Sequence, residues 1–292
     1  MQIIKTFLPF IKLLFFVAGI FILKACNEPD PVPEINYTFF VAGHTYGKPG
    51  QDNPGLYPVF EEKFELINQK TATLGFLTGD IVNVGTEKNW NEVDSVLEQL
   101  YANVYYVVGN HDMTDRPLFE SRYGKTYFFF LYQGDLFIAL DPNIDHWNIS
   151  GDQLSFLKQT IVDNADHVKN IFVFFHQLLW WEHGNKYENI KPNSFEGRAD
   201  SINFWTEIEP MFHSLSNDVY MFAGDVGAAA WSADLMYDHY DNITFVASGM
   251  GEGVGDNFVF IHVRNGNVSF ELISLNTEDI HAMGNLEDYQ LP

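Results

Sequence analysis

The sequence is short of cysteine, of basic residues and of long apolar runs. Cys26 is its one cysteine, so no intramolecular disulfide can form, whatever the redox compartment. Lysine and arginine together number 16, against 39 aspartates and glutamates. Residues 1–25 hold three of those bases, Lys5, Lys12 and Lys24, and no acid, so the rest carries 13 bases against 39 acids, a formal charge of −26. A surface of that sign repels phosphate backbones, which argues against non-specific nucleic-acid binding and against a nuclease. There are no internal repeats. What is plentiful is apolar character: 46% of 292 residues are hydrophobic, enough for one large α/β domain or two small ones, and too much for global disorder.

The one long apolar run is at the N-terminus. Lys5 supplies a positive start, and residues 7–23 are apolar except for Lys12. Leu23-Lys24-Ala25-Cys26 resembles a bacterial lipobox, which implies a signal peptide over 1–25 and lipidation of Cys26. An uncleaved membrane anchor is the alternative, but the run is barely long enough. Residues 26–36, rich in proline and acid, read as an extended tether. These features imply a lipoprotein held at the membrane of the bacterial cell envelope, periplasmic or at the outer surface.

Beyond the tether, strand-like and helix-like segments alternate. Apolar runs at 37–42, 73–79, 104–108, 171–175 and 219–223 predict strands. Helical spacing appears at 56–69, 90–101 and 201–215. Runs at 127–132 and 136–140 predict a hairpin. Ser150-Gly151-Asp152-Gln153 predicts a capping box for a helix to about 162. Residues 235–274 predict strands with turns at Asp241-Asn242 and Asn265-Gly266-Asn267. A folded domain over 37–275 and a C-terminal tail over 276–292 follow. Periodicity alone supports an α/β fold with mixed sheets.

The chemistry gathers where the runs end. Gly79-Asp80-Ile81-Val82-Asn83-Val84-Gly85 follows the second run, and Gly109-Asn110-His111-Asp112 follows the third. An Asp, an Asn and a His thus stand at the C-terminal ends of neighbouring strands, the edge at which open α/β sheets build sites. Carboxylate and amide oxygens there can hold a divalent metal, and a His beside them can act as a general acid.

These blocks resemble those of the calcineurin-like metallophosphoesterase superfamily: D-x-H, G-D-x-x-x-x-G, G-N-H-D/E, a lone His after a strand, and G-H-x-H. The second and third match fully, and His176 matches the fourth. The first reads Gly43-His44-Thr45-Tyr46-Gly47 and the fifth Gly224-Asp225-Val226-Gly227, and neither matches. The resemblance spans roughly residues 37–275. It implies two mixed β-sheets packed as a sandwich flanked by helices, and hydrolysis of phosphoesters with one or two divalent ions (Mn, Fe, Mg or Zn).

Residue by residue, the resemblance makes Asp80 a carboxylate bridging two ions and Asn110 a ligand through its amide oxygen. His111 becomes the acid beside the leaving oxygen, with Asp112 accepting its other ring N–H. His176 becomes a ligand, and Asp225 replaces an imidazole on the same ion, favouring Mn, Mg or Fe over Zn. The second ion would meet His44, Tyr46 and Gly227: it binds weakly, recruits another residue, or is dispensed with. The segment 177–200 carries Trp180, Trp181 and His183. These either overhang the site, with the aromatics and Tyr46 contacting substrate and His183 helping a metal, or pack on the domain. The expected substrate is a small-molecule or glycan-linked phosphate monoester or diester. The alternative is a non-catalytic metal- or ligand-binding lipoprotein that keeps the fold.

Overall fold

The computed structural model describes residues 35–51 and 53–292. The leader, Cys26 and most of the tether lie outside the described residues. The first half of the chain runs β1 (Asn36–Ala42), α1 (Pro58–Glu61), α2 (Phe64–Gln69), β2 (Leu74–Thr78), α3 (Glu87–Leu97), β3 (Asn103–Val107), α4 (Arg116–Tyr123), β4 (Phe128–Tyr132) and β5 (Asp135–Ala139). The second half runs α5 (Gly151–Asn164), β6 (Asn170–Phe174), α6 (Glu209–His213), β7 (Asp218–Ala223), β8 (Leu235–Tyr240), β9 (Ile243–Ser248), β10 (Asn257–Arg264) and β11 (Asn267–Ser274).

The strands form two mixed sheets, one ordered β11-β10-β1-β2-β3 and the other β4-β5-β6-β7-β9-β8. β1, β2 and β3 are parallel, as are β5, β6, β7 and β9. Side chains alternate along β1: Phe39 and Val41 lie in the core between the sheets, while Phe40 and Ala42 meet the helices outside. With both faces covered, such strands are largely apolar along their length, which is why their sequences read as near-continuous runs. The inter-sheet core is largely aromatic. The Phe76 and Phe174 rings, one from each sheet, stack at 3.8 Å, and Phe39 meets Phe172 edge-on at 5.0 Å. Each such pair contributes about 0.5–1.5 kcal/mol beyond its area.

Several local expectations are corrected. The helix expected over 56–69 is two short helices, α1 and α2, parted at Glu62 and Lys63 by a tight turn in which Lys63 N donates to Phe60 O. α3 begins three residues earlier than its apolar spacing suggests, because Thr86 caps it by accepting from Asn89 N. Ser150 precedes α5 but makes no capping bond; its hydroxyl donates to Asp145 instead. The helix expected over 201–215 opens as a π-helical turn over 204–208 and is α-helical only in α6. Residues 276–292, the C-terminal tail, pack back on the domain. Leu286 is fully buried in the inter-sheet core, and Gln290 bridges to Tyr237 and donates to Asp238.

Candidate metal centre

Parallel strands of both sheets deliver polar residues to one edge. β1 leads to His44, β2 to Asp80, β3 to Asn110 and His111, β6 to His176 and β7 to Asp225. The two sheets are stitched together there, since the His176 ring Nδ1 lies 2.9 Å from Thr78 O at the end of β2. The motif glycines are there for space. A Cβ on Gly79 would meet the His176 ring at 2.4 Å, and one on Gly109 would meet the Asp80 carboxylate at 2.3 Å. His44 and Asp80 both adopt left-handed backbone, at φ 52° and 50°. Backbone bonds His44 N to Gly79 O and Tyr46 N to Asp80 O, both 3.0 Å, hold that strain in place.

Asp80, His176 and Asp225, all buried, place ligand atoms within 4.8 Å of one another. His176 Nε2 lies 3.3 Å from Asp80 Oδ2 and 3.7 Å from Asp225 Oδ1, yet this buried nitrogen makes no hydrogen bond. Thr78 O can only accept, so Nδ1 carries the ring hydrogen and Nε2 is left to ligate, the usual arrangement of a metal-binding imidazole. Asn110 borders the cavity that opens over Asp80 and Asp225. Two carboxylates, an amide and one imidazole suit a hard or borderline divalent ion. The residues present therefore fit one such ion.

The charges agree with this. Burial pushes the Asp225 carboxyl up to about 8, against the pull of His176. Burial opposes the His176 imidazolium, but Asp80 and then Asp225 raise it to about 10. Asp80 is held below the usual carboxylate range: burial works against its charge, but His176, His44 and His111 outweigh that. In such a set a divalent cation displaces protons and satisfies both acids. His44 differs. Burial lowers it to about 4, against Asp80, so it is neutral at neutral pH.

A cavity of about 530 Å³ opens over these residues, bordered also by Tyr46, Asn83, Asn193, Ser194 and Trp231. His111 and Asn110 form the ridge between it and a second cavity of about 410 Å³. His111 Nδ1 is 2.8 Å from Asn83 O, an acceptor, so its Nε2 is the free ring nitrogen. The Tyr46 ring sits between His44 and His111, at 4.4 and 5.0 Å. Burial and then Asp80 hold its phenol above the normal tyrosine range, so it is a neutral hydroxyl and not a phenolate.

Four site expectations change. Asp112 does not touch the His111 ring. Its carboxylate is fully buried and accepts from Ile81 N and Val82 N at 2.9 and 3.0 Å, and from Gly109 N at 2.8 Å. It braces the two motif turns, and the carbonyl of Asn83 orients His111. Trp180 is core: fully buried and stacked on Phe245 at 4.7 Å. Trp181 is also buried and donates to Glu188 O. His183 is exposed and pairs with Glu188 at 3.1 Å, outside the cavity. The segment 177–200 does reach the cavity, but through Asn193 and Ser194. The aromatic at the rim is Trp231, 68% exposed, six residues beyond Asp225. Three alanines before it gave no signal of this place.

Comparison with known proteins agrees with this architecture. A purple acid phosphatase from yellow lupin superposes with a TM-score of 0.57 at 12% identity, over 88% of this chain and 52% of that one. A 5'-nucleotidase from Candida albicans aligns at 14% identity with a TM-score of 0.43, over 84% of this chain and 53% of that one. The chain thus spans about half the length of each. No curated protein matches it. The likeness to the lupin enzyme is one of fold: two mixed sheets between helices, as in metallophosphoesterases. The model of the calcineurin-like phosphoesterase family matches residues 43–228, a stretch that holds every strand end of the site, and the chain belongs to that family.

Proposed function

We propose that this protein is a metal-dependent hydrolase of phosphomonoesters or phosphodiesters at the bacterial cell envelope. The observation that carries the reading is the convergence of Asp80, His176 and Asp225 beside a cavity whose ridge is His111. Asp80, Asn110, His176 and Asp225 hold the ion. A divalent ion held there supplies Lewis acidity and lowers the pKa of water. His111, oriented through Nδ1 by Asn83 O, presents Nε2 to hand a proton to the leaving oxygen. Trp231 at the rim offers an exposed ring face to an organic substituent. The metal-free protein should gain turnover of p-nitrophenyl phosphate or bis(p-nitrophenyl) phosphate when given Mn, Mg, Fe or Zn. A protein that binds metal but hydrolyses no ester in a broad screen is the non-catalytic binder instead.

The envelope location rests on the leader and on Cys26. Among the described residues no helix is long and apolar enough to cross a membrane. Cys26→Ser should move the protein from the membrane fraction to the soluble fraction. Retention of that variant in the membrane would mean an uncleaved anchor and no lipid.

A further inference from the structure

Among the described residues, the positions that hold the family's second metal lack a converging ligand set. Its ligands would come from positions 44, 46 and 227, together with Asp80. Among the described residues, Asp80, His176 and Asp225 form the one group of three or more acids, histidines or cysteines with converging ligand atoms, and His44 lies outside it. His44 Nε2 faces Asp80 Oδ2 at 3.5 Å, its one acidic partner among the described residues. Tyr46 offers a phenol, which ligates well only after losing its proton.

Position 227 is closed to any ligand side chain. Gly227 has φ +79°, and a Cβ on it would stand 2.7 Å from the Gly249 carbonyl carbon and 2.9 Å from its oxygen. Its own backbone is pinned on both sides, N to Ala233 O and O from Glu252 N, each at 2.8 Å. The turn is therefore built around a glycine, and regaining a histidine there would require moving backbone.

Charge counts the same way. Asp80 and Asp225 bring two negative charges, which balance one divalent ion. Asp112 is committed to three backbone N–H groups and does not border the cavity. Among the described residues, a second ion would share Asp80 and otherwise meet only His44 and Tyr46, with no further carboxylate to balance its charge.

Resting on the hydrolase reading, we propose that the protein works with a single divalent ion, held by Asp80, Asn110, His176 and Asp225. His44 and Tyr46, which line the cavity, stand in the second ion's place as hydrogen-bonding groups for the phosphoryl oxygens.

The test is stoichiometry. Metal-free protein is titrated with Mn(II), and bound metal is read by elemental analysis and electron paramagnetic resonance. One ion per chain is expected, with the spectrum of an isolated Mn(II) and no exchange coupling at excess metal. His44→Gln should still bind one ion, and His176→Ala should bind none. Two ions in the wild type, a coupled spectrum, or loss of an ion in His44→Gln overturns the single-ion proposal and leaves the hydrolase reading intact. No bound metal in correctly folded wild type, judged by circular dichroism, overturns both.

Discussion

Asp112→Ala should destabilise the domain severely, by roughly 3–5 kcal/mol, because three buried N–H groups lose their acceptor and each costs about 1–3 kcal/mol. Those donors are Ile81 N, Val82 N and Gly109 N. In a domain of this size the melting temperature should fall by roughly 10 °C, at about 2–4 °C per kcal/mol. Asp112→Asn keeps one amide oxygen and should lose less. Activity should fall as well, since the same carboxylate ties the turn that carries Asp80 to the turn that carries His111. Calorimetry separates this role from that of a partner to His111. A catalytic partner would cost turnover and leave the melting temperature nearly unchanged, and that outcome would remove Asp112 from the scaffold.

His111→Ala should lower turnover by roughly 10² to 10⁴-fold, the size of a general acid–base contribution. Metal content should stay the same, because His111 is not among the converging ligands and its ring is held by Asn83 O. The loss should depend on the leaving group. An alkyl phosphate, whose alkoxide needs a proton to depart, should suffer most, and p-nitrophenyl phosphate least. Equal losses on both substrates would take away the acid role. A variant that sheds its metal would make His111 a ligand.

Much of this site is legible along the chain. Asp80, Asn110, His176 and Asp225 each follow a strand that is largely apolar, and parallel strands end at one edge. Asp80, Asn110 and Asp225 border one cavity, and His176 lies buried beside Asp80 and Asp225. The glycines beside them mark close approach, and the structure supplies the neighbours: the His176 ring against Gly79 and the Asp80 carboxylate against Gly109. The segment 177–200 misled because aromatic residues next to a ligand look alike whether they face substrate or core. Trp180 faces Phe245 because the outer surface of the second sheet needed cover, and burying a large ring there gains more than exposing it at a rim.

The sequence by itself determined which residue types end which strands, and with them the fold class, the family resemblance and the candidate donors Asp80, His176 and Asp225. The tertiary structure alone decided hydrogen-bond partners and free volume. Asp112 neighbours His111 in sequence but bonds to backbone some 30 residues away, because a buried carboxylate takes the N–H groups that strand packing brings within 3 Å. Gly227 reads as a missing ligand, and its φ of +79° with the Gly249 carbonyl where a Cβ would stand closes the position to simple substitution. Distances of that kind are set by how two sheets and their loops pack, which no local spacing encodes.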